Sequence, residues 1–359
     1  MDSIKLLKDL TNAFGPSGFE EAVNDAAMPY VPAGYQTTRD SMMNLYLRKK
    51  ADAKTSAKSA KQLPTVLLDA HSDEIGLMVQ AVRPNGTITF LPLGGWVPAT
   101  LSGQRMRIRN RDGAFVTGII AAKMHHFGGG NDGPPTLEGM SIDIGAISKQ
   151  EVEEVYKIFP GCPVVPHAEF EQQGDRLIAK AFDDRLGCAA VLETLAAFDK
   201  KKLGINLVGA FSSQEEVGIR GAKTVANTVK PDLVICFEGA PADDTLVEKA
   251  LIQTSLGSGP MLRHIDGGMI TNPRLLRHAI QAAEKAGIPV QQAVRSRGST
   301  NGSYYHLSGL GVPTLVISCP VRYAHSPHSM ASLKDYKQCV ALAAAVVREL
   351  DAGVLEEIL

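Results

Sequence analysis

Pro64-Thr65-Val66-Leu67-Leu68-Asp69-Ala70-His71-Ser72-Asp73-Glu74 is the stretch that decides the fold. Its first seven residues form a nearly continuous apolar run of strand length, the pattern of a strand buried on both faces of a parallel sheet. The run ends on His71, with Asp73 and Glu74 just beyond. In open α/β sheets, functional groups gather past the carboxyl ends of the strands. The segment therefore predicts a core strand that delivers polar, chemistry-bearing residues to one edge.

Downstream, the same pattern repeats. Apolar strands are predicted over 205–211, 233–237 and 314–318, and each is followed by candidate ligands: Ser213-Gln214-Glu215-Glu216-Val217-Gly218, then Glu238, then Tyr323-Ala324-His325-Ser326-Pro327. Helical spacing of apolar residues predicts helices over 184–198, 221–229, 272–286 and 333–350, the first opened by Ala181-Phe182-Asp183-Asp184-Arg185. Upstream, 4–14 and 20–27 read as helices around a Gly15–Gly18 turn, and 45–47 as a strand. Residues 51–61 are mostly Lys, Ala and Ser and read as a solvated hairpin loop.

Between about 75 and 178 the texture changes to short β-like runs at 77–82, 88–90, 105–108 and 115–120, separated by Gly, Pro and Asn. Frequent turns with little helix predict a compact β-domain inserted into an α/β chain. The expected organisation is a discontinuous α/β domain, 1–74 plus 178–359, carrying an insert at 75–177. Residues 124–131, rich in His and Gly, read as an exposed loop of the insert within possible reach of a site.

Composition narrows the class. A chain of 359 residues with 44% hydrophobic content buries a large core. Its 37 basic and 38 acidic residues, without long runs of either sign, give no electrostatic reason for nucleic acid or a membrane surface as a partner. No apolar run reaches the roughly 18 residues of a membrane span, and the N-terminus lacks a signal-peptide pattern. Five scattered cysteines form no Cys-x-x-Cys pair, and their odd number argues against a disulfide framework. A reducing cytoplasm is the expected home.

Two histidines and several carboxylates at strand ends are the ligands that hold paired divalent zinc, cobalt or manganese without thiolate. Asp73, two residues from His71 on an extended segment, lies on the same face and is expected to hold the second ring nitrogen. Asp183 offers two oxygens, enough to bridge two ions; Asp184 reads equally as a helix N-cap and as a residue of the site. Of Glu215 and Glu216, one can ligate while the other handles the proton of an attacking water. His328 reads as loop packing or solvent contact. The chain reads as a two-metal hydrolase.

Over nearly its whole length the sequence resembles the co-catalytic metal aminopeptidases of metallopeptidase family 42, the glutamyl and tetrahedral aminopeptidases. The resemblance is carried by Gly15-Pro16-Ser17-Gly18-Phe19-Glu20, Asp69-Ala70-His71-Ser72-Asp73-Glu74-Ile75-Gly76, Leu93-Gly94-Gly95-Trp96, Asp143-Ile144-Gly145-Ala146, Phe182-Asp183-Asp184-Arg185, Gln214-Glu215-Glu216-Val217-Gly218 and Arg322-Tyr323-Ala324-His325-Ser326. It implies an α/β/α metallopeptidase domain with a small β-barrel-like dimerisation insert, in homo-oligomers that reach hollow dodecamers and degrade peptides from the N-terminus. It further implies that Asp183 bridges two divalent ions, one also held by His71 and Glu238, the other by Glu216 and His325. Glu215 is then the general base, and the Asp183-Asp184 peptide is expected to be cis. Two positions depart from the family pattern: Glu238 and Asn301 stand where Asp is usual. Glu at 238 looks more like the deacylase and carboxypeptidase branches of the wider clan, and the charge missing at 301 is expected to alter reading of the substrate's amino terminus.

Two other classes are weighed against this reading. A glycosidase of the endoglucanase type needs two carboxyl groups opposed across a sugar at roughly 5 to 9.5 Å; adjacent Glu215 and Glu216 have no evident opposed partner, and the histidines would go unused. A non-catalytic scaffold would lack a ligand or the base, whereas all six positions carry competent residues.

Overall fold

A computed structural model describes residues 1–50, 63–122, 126 and 135–359. The loop readings at 51–61 and at 124–131, His126 aside, lie outside the described residues. The chain starts with α1 (Ser3–Asn12) and α2 (Glu21–Ala27), followed by β1 (Tyr35–Arg39), β2 (Leu45–Lys49) and β3 (Thr65–His71). Asp2 caps α1 by accepting the N–H groups of Ile4 and Lys5 at 3.0 and 3.2 Å. Leu6, Leu7 and Leu10 on its inner face are fully buried. From Val66 to His71 every residue of β3 is buried, as its unbroken apolar run requires.

Next come β4 (Gly76–Val82), β5 (Ile88–Leu93), β6 (Arg105–Arg109), β7 (Phe115–Ala121), β8 (Ser141–Asp143), α3 (Lys149–Glu154) and β9 (Pro163–Pro166). These six strands close into a barrel in the order β4-β5-β8-β7-β6-β9. It has its own core, with Leu77, Met106, Ile108, Ile142 and Val164 fully buried. The expected β-insert is therefore present, though α3 is a helix that the turn-rich sequence there does not announce.

Then follow β10 (Glu171–Gln173), β11 (Arg176–Ala179), α4 (Phe182–Ala197), β12 (Asn206–Ser212), α5 (Arg220–Val229), β13 (Leu233–Pro241), β14 (Met261–Ile265), α6 (Pro273–Ala286), β15 (Gln291–Val294), α7 (Gly302–Tyr305), β16 (Thr314–Val321), β17 (Ser329–Ser332), α8 (Leu333–Glu349) and α9 (Ala352–Ile358). The main sheet has eight strands in the order β1-β2-β12-β3-β13-β16-β14-β15. Its centre, β12-β3-β13-β16, is parallel, with Ser212 paired to His71 and Glu238 to Ser318, so the carboxyl ends of these strands share one edge. One face packs on α1, α4, α6 and α8 through Leu186, Val191, Leu276 and Leu342. The other packs on α5 and α7 through Val225 and Tyr305.

The helix α4 is apolar almost all round and lies buried against β3 and β13. Gly239 allows its first turn to approach, since a Cβ there would sit 2.7 Å from the Cα of Asp183. The last two strands of the sheet, β14 and the edge strand β15, fall where the sequence gives little alternation, because β14 carries Arg263 and His264 between its apolar residues.

Candidate metal centre

The ends of β3 and β12, the interior of β13, the start of α4 and the loop after β16 bring the predicted residues together. His71 closes β3 with its ring buried. Its Nδ1 donates to the carbonyl of Asp73 at 3.1 Å, and its Nε2 lies 3.0 Å from Asp183 Oδ1 and 3.7 Å from Glu238 Oε1. Asp183 precedes a cis peptide to Asp184, at the start of α4. Its second oxygen, Oδ2, lies 3.3 Å from His325 Nε2, which is in turn 3.4 Å from Glu216 Oε1. His325 sits in the loop after β16 and donates from Nδ1 to the carbonyl of Gly95 at 2.7 Å. One aspartate thus presents one oxygen to each imidazole.

Because both Nδ1 atoms face carbonyl acceptors, both Nε2 atoms are left to point at carboxylate oxygens. Neutral rings would set lone pair against lone pair there; a shared cation resolves the contact. The spacing agrees, since ligands about 2.0 to 2.2 Å from one ion lie roughly 3.3 to 3.6 Å apart in a tetrahedral shell, close to the 3.0 to 3.7 Å seen. Ligand atoms of His71, Asp183 and Glu216 all lie within 4.8 Å of one another. The donor set, imidazole and carboxylate without thiolate, fits hard to borderline divalent ions.

Electrostatics point the same way. Burial opposes charge on His71, but Asp183, Asp73 and Glu238 outweigh it and hold the imidazole well above its usual range. Burial likewise opposes charge on His325, where Asp183 and Glu216 prevail and push it up to about 10. Burial, reinforced by Asp183, raises Glu216 to about 8 and Glu238 to about 7. Asp183 goes the other way: burial would raise it, but its contacts with His325 and His71 hold it well below the carboxylate range. So much negative charge in one buried cluster demands positive charge in return.

Glu215 lines the cavity beside these groups and, among the described residues, makes no hydrogen bond through its carboxylate. Burial, with Glu238, Glu216 and Asp73 adding, raises it well above the usual range despite the opposing His71. A carboxyl group free of partners and inclined to take a proton suits proton transfer.

Two sequence expectations change in detail. Asp73 reaches the ring of His71 mainly through its backbone; its carboxylate Oδ1 is at 3.5 Å. That carboxylate instead accepts the N–H groups of Glu215 at 2.9 Å and Glu216 at 3.2 Å, and the hydroxyl of Ser17 at 2.6 Å. It holds the Glu215-Glu216 turn in place. Asp184 does act as a cap, accepting the Gly187 N–H at 3.0 Å, while its Oδ2 is buried without a partner. His328 is exposed.

Asn301, expected from the sequence to bear on how the substrate's amino terminus is read, is buried next to the cavity-lining Thr300 and donates to Asp69 at 2.7 Å. Asp69, fully buried beneath His71, also accepts from the hydroxyl of Ser212. A second carboxylate at 301 would face Asp69 in the core, so the amide supplies a donor there.

Beside the metal-ligand cluster opens a cavity of about 460 Å³. Its lining also holds three arginines that sequence reading missed: Arg263, Arg295 and Arg297. Arg263 is buried, tied through Nη1 to Asp266 at 2.8 Å, with its Nε unpartnered. Arg295 is held by Thr254 at 2.7 Å and Asp243 at 3.0 Å. Met261 and Pro241 supply apolar surface to the same lining. The one available signal was the charge on β14, an arginine in an otherwise strand-like segment.

The profile of the M42 glutamyl aminopeptidase family matches residues 53–342. The glutamyl aminopeptidase of Lactococcus lactis subsp. cremoris is 30% identical over 363 residues, covering 100% of this chain and 99% of that protein. Among solved structures, the TET aminopeptidase of a marine sediment Thaumarchaeota archaeon superposes with a TM-score of 0.91 at 33% identity, covering 99% of each chain. PhTET1-12s, solved as a dodecamer, gives a TM-score of 0.84 at 28% identity, covering 98% of this chain and 100% of that one.

Proposed function

The chain belongs to the M42 glutamyl aminopeptidase family, and from that premise we propose that it is a dinuclear metal-dependent aminopeptidase with Asp183 bridging the two ions. The observation that carries this reading is the position of the Asp183 carboxylate, one oxygen toward His71 and the other toward His325. His71 and Glu238 would complete one position, Glu216 and His325 the other, with zinc or cobalt the best matches and manganese admissible. The pair, when bound, polarises a peptide carbonyl and activates a water. Glu215 takes the proton from that water and delivers it to the leaving amine. Asp73 fixes the turn that presents Glu215, and Asp184 holds the first turn of α4 beside Asp183.

The arginine wall suggests the side chain that is read. Arg263 and Arg295 are ion-paired with Asp266 and Asp243, and Arg297 adds a third guanidinium to the lining of the cavity. An N-terminal glutamate or aspartate fits it, in line with the glutamyl aminopeptidase relative. The barrel would serve as a dimerisation domain, and assembly into a dodecamer is supported by the likeness to PhTET1-12s. All five cysteines are free and buried, which suits a reducing cytoplasm. Among the described residues no helix is long and apolar enough to cross a membrane.

The test is hydrolysis of peptides with free N-termini against N-acetylated counterparts, using enzyme reconstituted separately with zinc, cobalt and manganese. Stepwise release from free N-termini alone supports the aminopeptidase reading. Cleavage of blocked peptides only, or release from the C-terminus, would assign the site to a deacylase or carboxypeptidase, with Glu238 as the distinguishing ligand.

A further inference from the structure

The two proposed metal positions are built differently. His71 is held wholly within the α/β domain: its ring is 2% exposed, its Nδ1 is fixed by its neighbour Asp73, and Glu238 lies within the central strand β13. His325 is 35% exposed, on a loop residue with φ of 60°. Its Nδ1 hydrogen bond goes to the inserted barrel, at the carbonyl of Gly95.

The Gly94-Gly95-Trp96 turn just after β5 is shaped to this contact. A Cβ on Gly94 would stand 3.1 Å from Glu216 Oε2 and 2.7 Å from Ile75, and φ at Gly94 is 89°. A Cβ on Gly95 would stand 3.3 Å from His325 Nδ1. The turn is anchored in the barrel by the indole of Trp96, buried and donating to the Gly76 carbonyl at 2.8 Å. The barrel thus touches both side-chain ligands particular to one position, Glu216 and His325, while the contacts found for His71 and Glu238 come from the α/β domain.

We propose that this turn is a positioning element for the His325–Glu216 position alone, so that the two positions fill in order, His71–Glu238 first, and the second is completed only when the barrel is docked. The proposal rests on the dinuclear reading above. The physical reason is preorganisation: a ligand already fixed by neighbours loses little freedom on binding, whereas one on an exposed loop depends on whatever orients its ring. Trp96, the sole tryptophan of the chain, adjoins Gly95 and is a native reporter of the turn.

The experiment titrates zinc into the metal-free full-length assembly, following binding by calorimetry and Trp96 by fluorescence. Two separable steps are expected, with the fluorescence change confined to the second. In Gly95→Ala the second affinity should fall about 10- to 100-fold, with the first kept. Trp96→Phe, followed by calorimetry, should show the same selective loss and serves if Gly95→Ala does not assemble. Equal weakening of both steps, no weakening of either, or fluorescence that changes with the first ion or not at all would overturn the inference while leaving a two-metal site standing. Binding of one ion per chain would overturn both it and the dinuclear reading.

Discussion

The carboxylate of Asp73 accepts the backbone N–H of Glu215 at 2.9 Å. The contact joins two strand ends of the sheet, that of β3 and that of β12, and sets the direction of the proposed base. Its other oxygen accepts from Glu216 and Ser17, so one side chain orients base, ligand and the α1–α2 turn together. Asp73→Ala should lower metal affinity or turnover about 10- to 100-fold. Ser17→Ala, which leaves both backbone bonds, should have a smaller effect. Paired metal-binding and kcat/KM measurements check the order; a larger defect in Ser17→Ala would contradict it.

Asp183→Ala removes the one carboxylate that, among the described residues, faces both imidazoles. Both ions should be lost together, and metal analysis after dialysis should find little of either. Retention of two ions per chain would refute the bridging role.

Arg263→Met should reduce the preference for N-terminal Glu over Gln by about 10- to 100-fold, the worth of a charge-assisted hydrogen bond. The readout is the ratio of kcat/KM values for glutamyl and glutaminyl peptides. An unchanged ratio would place the acidic side chain elsewhere.

Glu20 gives a prediction in pH. It is buried, accepts from Gly18 and Gln214 through Oε1, and leaves Oε2 without a partner. Burial, with Asp73 nearby, raises its pKa from 4.5 to about 7. Between these values the folded state binds more protons than the unfolded, so stability falls as pH rises through this window. The effect is at most roughly 3 kcal/mol. Glu20→Gln should flatten the decline in Tm between about pH 5 and 8; parallel curves for the two proteins would contradict it.

Much of this was legible in the chain. The apolar run before His71, and its repeats before Glu215, Glu238 and His325, placed the α/β domain and the cluster because buried parallel strands leave an unmistakable pattern. The β-insert was legible through its turns, though not its closure into a barrel. What was not legible depends on contacts between distant segments. The role of Asp73 toward Glu215 needs β3 and β12 side by side. Asn301 could be assigned to Asp69 only once α7 was seen beneath the sheet. Arg263 lay on a short strand with weak alternation, and the Gly95 contact with His325 joins residues of different domains that no local spacing relates.

The account turns on Glu215 as the group that moves the proton. Glu215→Gln keeps the shape and the backbone bonds to Asp73 but removes the basic oxygen. With metal content verified at two ions per chain, kcat on a free N-terminal peptide should fall by about 100-fold or more. Full activity in that metal-replete variant would remove Glu215 from the mechanism and contradict the account.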